Sequence, residues 1–192
     1  MDNSKKAVTQ YPVLDIIKNR WSPRSFSGKG IAPADINTIV AAGSWSFSAI
    51  NEQPWRYIVA HRGTDLFNSF FSLLFTGNQP WNKNAAALPV SISKKTFAGN
   101  DSINSSALHD VGAANMLLTL QANSMGIYTH VMGGFDKASA ISLLQLSEDL
   151  EPVVMIALGY PGDAAKLDEP FKTRETALRT RKPLDEIILN YN

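Results

Sequence analysis

The segment from about Ile103 to Met125 restricts the fold more than any other. Leu108, Val111, Met116, Leu118 and Ala122 recur there at helical intervals, yet the run is apolar on more than one side. Gly126 ends it, as glycine commonly does after a helix. A helix of that length without one clean polar face belongs at the centre of a domain, buried or at a subunit interface. The remaining elements must be arranged around it.

Those elements alternate. Residues 12–20 read as a short helix with Val13, Leu14, Ile16 and Ile17 on its apolar side, broken by Ser22-Pro23. Pro33 suits the first turn of a second helix through Ile36, Ile39 and Val40, closed by Gly43. Trp55–Ala60 is aromatic and β-branched, hence a strand. Thr64 is placed to cap a helix through Phe67, Phe70, Phe71 and Leu74, and Pro89–Ser93 is a weakly marked strand. Ile127–Met132 reads as a strand and Asp136 as the cap of a helix through Leu146. Pro152–Leu158 has the continuous apolar character of a buried strand. Tyr160 to Lys182 is polar and irregular, and Leu184, Ile187, Ile188 and Tyr191 form an apolar set too small to fold alone. Without repeats or low-complexity linkers, residues 1–192 read as a single α+β or α/β domain. Residues 1–11 are expected to be a poorly ordered N-terminus, and 183–192 a segment docking on the core or on a partner subunit.

Composition removes several kinds of chemistry. There are no cysteines among the 192 residues, so disulfides, thiolate catalysis and cysteine-ligated metals are excluded. Eighteen basic against 17 acidic residues leave a net charge of +1, without the basic excess of nucleic-acid or membrane-surface binding. Met1 to Gln10 lacks a signal-peptide pattern and no apolar run could span a bilayer, so a cytoplasmic protein is expected. His61, His109 and His130 are dispersed and outside any metal-binding frame, and His109 and Asp110, as helix neighbours, are not expected to face each other. No G-x-S-x-G elbow or Walker sequence is present. The search leaves no candidate catalytic side chain.

Three short stretches carry suggestive chemistry. Arg20-Trp21-Ser22-Pro23-Arg24-Ser25-Phe26 brackets a hydroxyl with two guanidinium groups, a sensible grip for an anion. Arg179-Thr180-Arg181-Lys182-Pro183 would point Arg179 and Arg181 the same way if extended. Asn51-Glu52-Gln53-Pro54-Trp55 offers amide groups suited to the edge of a heterocycle. Taken singly, the first two also fit a solvated surface and the third a polar turn.

In register along the chain, the three stretches resemble the FMN-dependent nitroreductase family. Arg20, Ser22, Arg24 and Phe26 match its R-x-S-x-R-x-F opening, and Asn51, Gln53, Pro54 and Trp55 its N-x-Q-P-W. Arg179, Arg181 and Pro183 match its closing [KR]-x-R-x-P element. The resemblance spans roughly residues 12–190. It implies an α+β fold with a central mixed or antiparallel sheet flanked by helices, and a homodimer with the long helix at its interface. It further implies non-covalent FMN between subunits, NADH or NADPH as reductant, and a small-molecule acceptor such as a nitroaromatic or quinone, reduced in ping-pong fashion. The flavin would carry the chemistry. Arg20, Arg179 and Arg181 would neutralise its phosphate with Ser22 assisting, while Arg24 would reach the pyrimidine side of the ring near N1 and O2. A cation there favours the reduced flavin. Asn51 would approach from the partner subunit, with Ser48, Ala49 and Gln53 beside it, and backbone around Met132, Gly133 and Gly134 would line the ring near N5.

Trp21, also a candidate contact, stands where the family often has arginine or histidine. Phe47 and Ala49 interrupt its P-S-S run, and Gly133 replaces a frequent glutamate. The region Phe67–Trp81 corresponds to a stretch that shapes the pocket over the flavin, with Gln79-Pro80-Trp81 as a possible lid. Two other readings stay open: a module that stores or senses FMN with little turnover, and a protein of similar fold whose arginines bind another phosphorylated ligand.

Overall fold

The computed structural model describes residues 5–189. Strands β1 (Trp55–His61), β2 (Ala87–Lys94), β3 (Tyr128–Met132) and β4 (Leu150–Gly159) form one sheet in the order β1-β2-β4-β3, with every pair antiparallel. The sheet is therefore antiparallel, the second of the two forms that the resemblance allowed. The weakly marked strand at Pro89 is a central one and is buried from Ala87 to Ser93. Its small residues and proline hide it in the sequence. Proline cannot donate to a ladder, and the β2–β4 pairing runs from Ala87↔Leu158 to Val90↔Met155, leaving Pro89 in the gap.

The period of two sorts side chains between the faces of the sheet. Leu88, Val90, Ile92, Met155 and Ala157 meet Phe67, Phe70 and Leu74 around helix α3 (Asp65–Leu73). Ile156 and Leu158 point the other way, to Ile36 and Ile39 of α2 (Pro33–Gly43) and to Leu118 and Ala122 of α5 (Ala107–Ser124). Each of the larger of these side chains, fully buried, contributes roughly 1.5–3 kcal/mol. α2 lies so close to α5 that a Cβ on Gly43 would sit 3.1 Å from the Ala114 carbonyl oxygen.

The caps follow the expected chemistry. The Thr64 hydroxyl accepts from the Phe67 N–H at 3.2 Å, and Asp136 accepts from Ser139 at the start of α6 (Lys137–Leu144). At the end of α5, Gly126 has φ +72° and the Ile127 N–H returns to the Ala122 carbonyl, which closes the last turn.

Other elements differ from the reading of the sequence. The first helix, α1, is only Asp15–Asn19, because Leu14 is extended. Gln79–Asn82 is a short helix, α4, whose Trp81 is 3% exposed and thus a core residue rather than a lid. The polar stretch after Tyr160 contains α7 (Phe171–Thr176). Residues 1–4 lie outside the described part of the chain, whereas residues 5–7 are tied in: Lys5 is buried, its ammonium donates to the Ala177 carbonyl, and the Ala7 N–H donates to Lys18 O at 2.9 Å.

α5 buries one side and leaves Leu108 (52%) and Met116 (41%) exposed on the other. The C-terminal segment stays largely exposed at Ile187, Ile188 and Leu189, while Tyr191 lies outside the described residues. Among the described residues no helix is long and apolar enough to cross a membrane.

Candidate functional site

The two basic stretches, about 160 residues apart, do converge. Arg20 stands at the C-terminal cap of α1, and Arg179 and Arg181 follow α7 outside any helix or strand. The guanidinium of Arg179 donates to Lys5 O at 2.9 Å and to Lys18 O at 2.6 Å, which fastens the C-terminal stretch beside α1. Burial pushes the pKa of Arg20 down and Arg181 adds to it; burial followed by the charges of Arg20 and Arg181 does the same to Arg179. Guanidinium stays protonated in proteins, so the direction records desolvation and a crowding of like charge. Among the described residues, no carboxylate lies within ion-pair distance of Arg20, Arg179 or Arg181. Ser22 lies in the same place, its hydroxyl 3.4 Å from the Arg20 guanidinium. The three arginines border a cleft of about 800 Å³ whose apolar wall includes Ile17, Met116, Leu184 and Ile187. A crowded cation cluster with hydroxyl support and no internal counterion suits an anion.

Arg24 is turned elsewhere. Glu175, 4% exposed, takes the Arg24 N–H at 2.8 Å on one carboxylate oxygen and the Ser25 N–H at 3.0 Å on the other, which fixes the backbone there. The Ser25 hydroxyl donates to Asp163 O, and the Gly162 N–H returns to Ser25 O. The Arg24 guanidinium makes no hydrogen bond to the described residues, although it is half-buried. Desolvation pushes its pKa down, with Glu175 opposing and Arg174 adding to the effect. A partly desolvated fork of donors without acceptors is costly unless a ligand supplies them. Trp21 turns to the Tyr128 ring, 6.0 Å away and edge-on, and lies under the Lys5 ammonium.

The Ser48–Gln53 loop is strained. Ile50, Asn51 and Gln53 have φ of +45°, +60° and +53°, conformations that non-glycine residues adopt at a cost and that collect at functional sites. Asp110, buried at the start of α5, holds the loop by accepting the Ala49 N–H at 2.9 Å, and the Ser48 hydroxyl accepts the Gln53 N–H. His109 and Asp110 do meet, contrary to the expectation from helix geometry: Nδ1 lies 3.1 Å from the carboxylate. In the first turn of α5 the carboxylate bends back towards the loop instead of pointing along the helix. No hydrogen bond or ion pair joins residues 48–53 to Arg20, Arg24, Arg179 or Arg181 within the described chain. Phe47, Ile50 and Asn51 face outward.

Met132 ends β3 in the core. Past it, Gly134 O accepts from Asn78 Nδ2 at 3.0 Å and from the Phe75 N–H at 3.1 Å. A Cβ on Gly133 would meet nothing, whereas one on Gly134 would press against Asn78. Glu175 and Asn78 carry no sequence signal, and Trp81, His130 and Asp110 stand outside the three motifs, because each acts on a site residue from a distant element. Among the described residues no cluster of His, Asp or Glu could hold a metal ion.

The Nitroreductase family profile matches residues 17–160. The chain belongs to the Nitroreductase family. Among solved structures, a protein described as an oxidoreductase containing FMN superimposes with a TM-score of 0.92 at 32% identity, covering 100% of this chain and 98% of that one. An uncharacterised 15.4 kDa protein of Mycolicibacterium smegmatis is 30% identical over 69% of this chain and 92% of its own length. A Methanothermobacter thermautotrophicus protein named "Putative NADH dehydrogenase/NAD(P)H nitroreductase" is 26% identical, covering 81% of each chain. Within the Nitroreductase family, the match ends at Tyr160, so the second arginine stretch lies outside the matched span.

Proposed function

We propose that this nitroreductase-family protein is a cytoplasmic homodimeric oxidoreductase that binds FMN and uses NADH or NADPH to reduce nitroaromatic, quinone or similar acceptors. The observation that carries the reading is a cluster of three arginines with no carboxylate of the described chain beside it, together with a half-buried donor fork at Arg24 that the described chain does not bond. Arg20, Arg179 and Arg181, with the Ser22 hydroxyl, offer charge-assisted bonds to the FMN phosphate. Arg24 offers its free donors to the N1 and O2 side of the ring, on a backbone held by Glu175. The chain at Trp21 and at Met132, Gly133 and Gly134 would hold the ring, and the open space at Gly133 would leave room for it. Bound FMN supplies hydride acceptance from the nicotinamide and its delivery to the acceptor in a ping-pong sequence.

A second copy of the chain completes the site in this reading. The loop with Ser48, Ala49, Asn51 and Gln53, outward at Asn51 and Gln53, makes no hydrogen bond to the arginines among the described residues, and the exposed stripe at Leu108 and Met116 supplies an apolar surface for dimerisation. The C-terminal segment from Pro183 would be covered by the same association. The oxidoreductase containing FMN at 32% identity supports the cofactor, and the name of the methanogen relative supports the reductant.

The test is a spectrum of purified protein. A flavin absorbance that bleaches with NADH or NADPH and returns with an acceptor is expected. Flavin that binds but does not bleach would favour a storage or sensing module, and a protein that refuses FMN would overturn the reading.

A further inference from the structure

Arg24 owes its position to two residues far from it in sequence. Its guanidinium carbon lies 5.9 Å from the centre of the Trp81 ring, within the range at which a cation is drawn to an aromatic face. Trp81 is itself fixed, 3% exposed and with its indole N–H donated to Gly77 O at 3.1 Å. His130, on β3, packs against Trp81 with ring centres 4.4 Å apart and planes inclined by 38°. Its Nδ1 lies 2.9 Å from the carbonyl oxygen of Pro23, the residue before Arg24. A carbonyl only accepts, so Nδ1 carries the proton. Burial pushes His130 down to about 4, which leaves a neutral ring that adds no repulsion to the arginine. Trp81 thus supports the side chain of Arg24 while His130 supports both Trp81 and the backbone beside it.

We propose that Trp81 and His130 are positioning residues that hold the Arg24 guanidinium against the flavin ring and so set how much more tightly the protein binds reduced than oxidised FMN. The proposal rests on the reading of Arg24 given above. Reduction places negative charge on the N1 and O2 side, and a cation held there in a water-poor setting stabilises that charge. An arginine freed from its platform swings towards water, where its charge is screened.

The experiment measures the two-electron midpoint potential of bound FMN in the full-length holoprotein. Arg24→Gln should lower it. Trp81→Leu and His130→Leu should each lower it by reducing the preference for reduced flavin about tenfold, which is about 30 mV for a two-electron couple. His130→Gln, whose amide can still donate to the Pro23 carbonyl, should restore most of the loss. Adding His130→Leu to Arg24→Gln should change nothing further. If Trp81→Leu does not fold, Trp81→Phe takes its place, and a smaller drop in the same direction supports the proposal. Wild-type potentials in the Trp81 and His130 variants alongside a lowered Arg24→Gln would overturn this proposal alone. An unchanged Arg24→Gln potential in protein that still binds FMN would instead overturn the reading of Arg24 on which it rests.

Discussion

Replacing Arg181 with glutamine should move two quantities in opposite directions. Among the described residues its guanidinium donates only to the adjacent Thr180 carbonyl, so there the substitution breaks no hydrogen bond between distant segments, unlike a change at Arg179. Its charge nevertheless disfavours both Arg20 and Arg179. Arg181 is exposed, and water screens these repulsions to roughly 0.5 kcal/mol each. Relieving both should stabilise the flavin-free protein by up to about 1 kcal/mol, or roughly 2–4 °C in Tm for a domain of this size. A guanidinium bonded to phosphate is worth about 1.5–3 kcal/mol, so the same substitution should weaken FMN binding roughly 10- to 150-fold. Thermal unfolding of flavin-stripped protein gives the first quantity and titration of flavin fluorescence the second. A variant that is less stable without flavin and unchanged in Kd would refute the picture of an unbalanced cation cluster.

Three further outcomes follow from the packing. Because His130 takes up its proton near 4 in the fold against an ordinary 6.5, the unfolded chain binds that proton first as pH falls. Stability should then drop by about 3 kcal/mol between pH 6.5 and 4, and a urea titration series should show this part of the pH dependence vanish in His130→Gln. Gly43→Val would place Cβ 3.1 Å from the Ala114 carbonyl oxygen and 3.4 Å from the Leu118 Cβ; forcing α2 off α5 should cost about 1–3 kcal/mol in urea denaturation. Met116→Glu puts a charge into the exposed stripe of α5 and should shift sedimentation from dimer towards monomer, with wild-type behaviour counting against dimerisation on that face.

The parts of the fold legible in the sequence are those whose cause is local. Thr64 and Asp136 cap the helices they precede, Gly126 turns the chain after α5, and the apolar run before Gly159 is a buried strand. β2 is faint in the sequence because Pro89, Ser91 and Ser93, although buried, interrupt Leu88, Val90 and Ile92, so the strand lacks the continuous apolar run that marks β4. α7 leaves no trace in the sequence pattern because a six-residue helix carries too little periodicity to register. At the candidate site the motifs named Arg20, Arg24 and Arg179, yet their electrostatic state depends on neighbours that share no sequence window with them. Glu175 meets Arg24 across about 150 residues, and Arg179 meets Lys18 across about 160. Helix periodicity sets Asp110 apart from His109 because it describes where side chains leave the axis, whereas a carboxylate in the first turn can bend to the loop before it.

The most direct measurement compares the affinities of FMN and riboflavin, which share a ring and differ by the phosphate, across a series of salt concentrations. FMN should bind at least about 100-fold more tightly at low salt, and the gap should narrow as salt screens the arginines. Equal affinities for the two flavins, unaffected by salt, would contradict a phosphate clamp formed by Arg20, Arg179 and Arg181.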